Sequence, residues 1–239
     1  MKPWALLAVA ELKLTLRSPL VAATAVLAPL AMGLFLLGNR ELGGAGIVSM
    51  QLLALLGFTL YAGGTTTLAA RRQQLVLKRL RTSPASDRTI VAGLMLPLAL
   101  LVVIQAAILI ATTIVVTDTW PHTWWPLVLA VAGGTVLVMG LAFITAAFTG
   151  TPELAQVTTL PVFLALFAGG LWAGSTPPDE VTWLMVLVPG GAVAQLVQLG
   201  WDGAGLSVST VLPPLVAMVV TGAAAAYLAG RVFRWQPRS

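Results

Sequence analysis

Few of the 239 residues are equipped for chemistry: one histidine, no cysteine, eight carboxylates and thirteen cations. A serine nucleophile needs a base within hydrogen-bond reach. Gly174-Ser175 supplies a serine and His122 the sole imidazole, so hydrolysis requires a fold that brings those two together. No lysine follows a glycine, which excludes the phosphate loop G-x-x-x-x-G-K-[ST]. A single histidine without cysteine excludes H-E-x-x-H and argues against a zinc site. The lack of cysteine also removes disulfide and thiolate chemistry.

The cations, by contrast, cluster. Six of the thirteen fall in the stretch Arg71–Arg88: Arg71, Arg72, Lys78, Arg79, Arg81 and Arg88. On a helical wheel Val76, Leu77 and Leu80 share an arc of about 100°, with basic residues around the remainder. Pro84 stops such a helix and Ser86 can cap the next one. The pattern predicts a short cationic amphipathic helix lying flat beneath a membrane. The competing reading is a stop-transfer cluster that only binds anionic lipid headgroups.

Composition sets the solvent for everything around that stretch. The chain is 58% hydrophobic and 9% charged, with a mean hydropathy of +0.95. Soluble domains carry about 25% charged residues. So few charges cannot cover a water-facing exterior, which excludes a soluble enzyme, and a disordered chain lacks this hydrophobicity.

Crossing the hydrocarbon takes about 20 apolar residues. Six stretches qualify: Pro19–Gly38, Ile47–Ala70, Thr89–Thr117, Trp124–Phe148, Ala155–Ala173 and Val211–Phe233. They predict an all-α polytopic protein, one transmembrane domain over residues 1–239. A further apolar stretch, Val181–Leu199, is interrupted by Pro189-Gly190-Gly191 and predicts two short helices that dip toward the membrane and return. Near the start, Lys2, Trp4, Glu11, Lys13 and Arg17 among leucines predict an interfacial helix and not a cleaved leader.

Orientation follows from lysine and arginine near the span ends. With six spans, twelve of the thirteen cations fall on one side and only Arg40 on the other. Both termini are therefore expected in the cytoplasm. The acidic residues Asp118, Asp179, Glu180 and Asp202 fall outside, as do six tryptophans at the headgroup level. A pI near 10.5 would suggest nucleic acid in a soluble domain, but here it marks topology. No ionisable residue occupies the middle third of any span, and Gln105 is the deepest strongly polar side chain. A proton-driven carrier would lack its coupling group.

Leu77-Lys78-Arg79-Leu80-Arg81-Thr82-Ser83-Pro84-Ala85-Ser86 resembles the connection between the second and third spans of type-2 ABC transporter permeases. Glu153-Leu154-Ala155-Gln156, Pro161 and Phe167-Ala168-Gly169-Gly170 are similar to that family's fifth span, with its mid-span proline. Val188–Leu199 stands where the family has an outer segment with a proline at this spacing. The family's acidic residues before the coupling helix are Gln73 and Gln74 here, its Asn-Pro is Val188-Pro189, and its terminal arginine is Leu199.

The resemblance implies an inner-membrane exporter subunit that has no catalysis of its own. ATP and Mg would sit on a separate cytoplasmic ATPase subunit. That subunit would contact a coupling helix comprising Gln73, Gln74, Leu77, Lys78, Arg79, Leu80, Arg81, Thr82 and Ser83. A second copy of the chain would complete a homodimeric pore, and the turn at Pro189, Gly190 and Gly191 would belong to a re-entrant outer gate. The path would run near the second and fifth spans, whose uncharged residues suit a hydrophobic or amphipathic cargo: a drug, an antibiotic or a lipid-like molecule. No nucleic-acid partner is implied. A membrane scaffold or assembly factor is the competing function, with the basic loop anchored in lipid; an intramembrane hydrolase using Ser175 and His122 is the third.

Overall fold

The computed structural model describes residues 23–74, 87–203 and 205–232, and these residues are helical with no strand. Among the described residues five helices are long and apolar enough to cross a membrane. The region expected as the first span is described from residue 23 as a π turn, Ala23–Leu27, followed by α1, Ala28–Leu36. Among the described residues its apolar helix covers Ala25–Leu36.

The second span is one 31-residue rod, Gly43–Gln73, in three parts. Helix α2 (Gly43–Ala54) passes into a π segment, Leu55–Ala62, and then into α3 (Gly63–Gln73). It occupies the centre of the bundle, with Leu52, Leu53, Leu55, Leu56, Leu60 and Tyr61 all buried. Around it stand α4 (Asp87–Thr117), α5 (Trp124–Phe148) and α7 (Leu160–Gly174), while α10 (Val208–Val232) packs on α5. The short α6 (Ala155–Thr158) leads into α7.

Pro161 was expected in mid-span. It lies instead in the first turn of α7, because the segment breaks at Thr159. A first-turn proline sacrifices no intrahelical hydrogen bond. The small-residue pairs Gly63-Gly64, Gly133-Gly134 and Gly170 pack within the chain. Gly134 receives Leu56 and Val193, Gly133 receives Met218, and Gly170 receives Leu53.

Polar bonds join the first three spans where proline disturbs the backbone. Pro29 has no N–H to offer the Ala25 carbonyl four residues earlier. Thr59 Oγ1 and Gln105 Nε2 donate to that carbonyl instead, at 2.8 and 3.2 Å, and Thr59 Oγ1 also reaches Gln105 Oε1 at 3.0 Å. Just past the end of α1, Leu37 N–H bends to the Leu34 carbonyl. The Gly33 carbonyl then accepts from Gln51 Nε2 at 3.0 Å, while Gln51 Oε1 accepts from Thr113 at 3.0 Å. In hydrocarbon such groups have no water to turn to, so each bond also fixes where the helices meet.

Candidate functional site

One end of the molecule, the end carrying the 75–86 connection, is organised by a buried cation. Arg72 closes α3 and is only 3% exposed. A guanidinium stays charged wherever it is placed. It donates to the Ala147 carbonyl at 3.4 Å and to the Thr149 carbonyl. These lie at the end of α5, where unsatisfied carbonyls carry the negative end of the helix dipole. Thr149 Oγ1 in turn donates to the Thr145 carbonyl at 2.8 Å and meets the Thr158 hydroxyl of α6 at 2.8 Å. Tyr61 and Thr145 share a further bond at 2.8 Å. The second, fourth and fifth spans are thus tied together at this end.

Gln73 and Gln74 follow directly and are exposed. Gln74 caps α3 through its N–H to the Ala70 carbonyl at 3.0 Å, and its Oε1 accepts from Arg71 at 3.1 Å. Leu77, Lys78, Arg79, Leu80, Arg81, Thr82 and Ser83 lie outside the described residues, as does the expected interfacial helix near the start. On the same end Glu153 is held below the usual carboxylate range, first by a hydrogen bond from its own backbone N–H and then by the Thr151 hydroxyl.

At the opposite end two shorter helices follow α7. The chain leaves α7 at Gly174 and turns back through α8 (Trp183–Leu187). It reverses at Val188-Pro189-Gly190 and leaves again through α9 (Gly191–Trp201). Gly190 has φ +95°, and a side chain there would strike the Leu166 carbonyl. The turn thus packs against α7 beside Leu166 and Gly169. Farther along, Gln198 Nε2 donates to the Gly174 carbonyl at 2.6 Å, so α9 runs alongside α7 in the same direction.

Two connections and the start of α10 are fastened to the far half of α9. Gln195 Nε2 bonds the Pro178 and Thr210 carbonyls at 3.3 and 3.2 Å. Thr123 and His122 donate their N–H groups to the Gly200 and Trp201 carbonyls at 2.9 and 3.1 Å. Asp202, just past α9, has its carboxyl pushed up by burial.

Between the ends, the second and fifth spans meet through aromatic rings. Phe163 of α7 lies on Gly57. Its ring stands edge-on to Phe58, centroids 4.7 Å apart, and 5.1 Å from Phe167. All three are half-buried. The arrangement leaves an uncharged aromatic surface beside the π segment of the second span.

The family described as ABC-2 family transporter protein matches residues 10–231. The chain belongs to the ABC-2 transporter family. A search of curated proteins finds no match. The chain is therefore a multi-pass membrane permease of an ABC transporter, a transport component that is not itself catalytic, and the family implies association with an ABC ATPase.

Within this permease the two groups a hydrolase would need are engaged elsewhere. Ser175 donates its hydroxyl to the Trp172 carbonyl at 3.2 Å, and the His122 ring lies against Gly203. Sequence reasoning found Gln105 as the deepest polar group but missed its partners. The signal was Pro29, which frees the carbonyl that Gln105 and Thr59 share. Arg72 carried no such signal, because in sequence it is one arginine of a basic run.

Proposed function

We propose that this ABC-2 permease is the membrane subunit of an ATP-driven exporter that moves a hydrophobic or amphipathic molecule out of the cytoplasm. The loop from Gln73 to Ser83 is the docking surface for the separate ATPase subunit, which carries ATP and Mg. Leu77 and Leu80 enter an apolar groove on that subunit, and Lys78, Arg79 and Arg81 make charge-assisted contacts around the rim. Two copies form the pore in the inner membrane, each with six spans and both termini cytoplasmic.

The observation that carries this reading is the Arg72 joint. The residue immediately before the loop is bonded to the end of the fourth span, and through Thr149 and Thr158 to the start of the fifth. A push on the loop therefore reaches three spans, which shift as packed units between discrete arrangements. At the other end, the Pro189-Gly190-Gly191 turn forms an outer gate that moves with α7, against which it is seated. The cargo path runs past Phe58, Phe163 and Phe167, an apolar surface without a charge to select an ion.

Co-purification with a candidate ABC ATPase subunit tests the docking surface. Leu80→Glu combined with Arg81→Glu should abolish assembly and stimulated ATP hydrolysis, and unchanged assembly would refute the assignment. Reporters fused after Asp202 and after Arg234 test orientation. The first should report outside and the second inside.

A further inference from the structure

Among the described residues the glutamines inside the bundle are treated in two ways. Gln51 and Gln105 are bonded at both ends of the amide. Gln51 donates to the Gly33 carbonyl and accepts from the Thr113 hydroxyl, and Gln105 donates to the Ala25 carbonyl and accepts from the Thr59 hydroxyl. Gln195 and Gln198, which neighbour each other on one face of α9, are bonded at one end only. Their amide nitrogens donate to the Pro178, Thr210 and Gly174 carbonyls. Their Oε1 atoms are buried, and no donor among the described residues reaches either one.

The direction of these two amides is set by their partners. A carbonyl oxygen only accepts, so it must face the NH2 end, and turning either amide over would oppose two oxygens. The hydroxyls beside the pair are already committed. Ser175 and Thr176 both donate to the Trp172 carbonyl, and Thr210 donates to the Gly205 and Ser207 carbonyls. Gln195 is only 1% exposed, so bulk solvent does not serve its oxygen. The segments packed on this part of α9 are nevertheless open, with Ser175, Pro177, Asp179, Glu180 and Ser207 exposed. A small donor can enter there, and a buried acceptor left without one is costly.

We propose that Gln195 and Gln198 hold a buried water between α9, the connection from α7 to α8 and the start of α10, each amide oxygen accepting one of its hydrogens. Water brings two donors to two otherwise unpaired oxygens, which is how buried waters are kept in proteins. Both acceptors are uncharged amide oxygens, which suit a neutral donor better than a hard cation that seeks carboxylates. The site belongs to the packing of α9 and does not depend on what the chain transports. On the gate reading proposed above, it makes α9 the separable element. Parting it from α7 and α10 exchanges amide–carbonyl bonds for amide–water bonds, with the first water already in place.

The test is water-edited solid-state NMR on the full chain in phosphatidylcholine bilayers, with the glutamine side-chain carbons labelled and sequentially assigned. Magnetisation from water should reach the Gln195 and Gln198 amide carbons severalfold faster than those of Gln51 and Gln105, although Gln195 is as buried as Gln51. In Gln198→Met, which removes one of the two acceptors, transfer to Gln195 should fall to the level of Gln51. Transfer to Gln195 as slow as to Gln51 in the parent protein would overturn the site, and that measurement needs no variant. Undiminished transfer to Gln195 in Gln198→Met would overturn the sharing of one water by the pair. Neither measurement involves an ATPase or a cargo, so failure of the exporter reading leaves both outcomes unchanged.

Discussion

The second and fifth spans are both apolar and both cross the bundle, yet they are held in opposite ways. The second is 83% buried within the chain and the fifth only 28%. Along the second, polar side chains reach out to other helices at intervals: Gln51, Thr59, Tyr61 and Arg72. The fifth has polar ties at its ends, through Thr158 and the Gly174 carbonyl, and between them relies on shape. Gly169 and Gly170 admit Val188, Pro189 and Leu53. Its other side exposes Leu160, Leu164, Leu171 and Trp172. The contrast separates a rod fixed by directional bonds from a helix held by close approach, with one face left for lipid or another surface.

The largest predicted effect attacks the shape-based anchorage. Gly190→Ala forces a side chain into a positive-φ turn and onto the Leu166 carbonyl. Strained backbone and overpacking together should cost about 3 kcal/mol or more, read as a lowered unfolding midpoint or loss of monodisperse protein. Gly230→Ala, where an added methyl meets nothing within 4 Å, is the control and should be neutral or slightly stabilising. Equal behaviour of the two would break the comparison.

Next in size is the polar joint of the second span. Arg72→Gln should destabilise the protein by about 2 kcal/mol, the scale of hydrogen bonds to a buried charged group. Arg71→Gln, on the half-buried neighbour bonded to Gln74, should stay within about 0.5 kcal/mol. Thermal unfolding of both variants under one condition would show whether two adjacent arginines differ as their surroundings do.

A smaller effect resolves the bonds at the Ala25 carbonyl. Gln105→Leu and Thr59→Val should each cost about 0.5–1 kcal/mol, since interhelical hydrogen bonds in membranes average about 0.6 kcal/mol. Because both donate to one carbonyl and Thr59 also donates to Gln105, the double variant should depart from the sum of the singles. Strict additivity would show that the two bonds act independently and not as one joint.

Much of this architecture was legible in the sequence, for a physical reason. Hydrocarbon demands long apolar runs, so five of the expected spans coincide with helices to within a few residues, Trp124–Phe148 among them. Proline next to two glycines cannot continue a helix, and the break in Val181–Leu199 falls there. The family itself showed in the sequence motifs of the basic loop and the fifth span. What was not legible depends on which face each helix turns inward. An all-round apolar helix has no amphipathic stripe to read, so the burial of the second span and the exposure of the fifth had no sequence signature. Arg72 and Arg71 are likewise indistinguishable until the end of α5 is placed beside one of them.

The smallest predicted effects concern two carboxylates at opposite ends of the bundle, and their signs differ. Burial raises the Asp202 carboxyl above its ordinary value of 3.8, so folding favours its protonated form. Its contribution to stability is full below that value and is lost as pH rises through the folded pKa. Asp202→Asn should therefore be more stable than the parent at neutral pH, with the gap closing on acidification. Glu153 is the reverse: hydrogen bonds to its charged form lower it from 4.5. Its contribution is present above that value and disappears as pH falls through the folded pKa. Glu153→Gln should be slightly less stable than the parent at neutral pH and equal to it in acid. Unfolding midpoints of the parent and both variants across the acid range should thus diverge in opposite directions as pH rises. Parallel curves would mean that the tryptophan end is as open to water around Asp202 as the loop end is around Glu153.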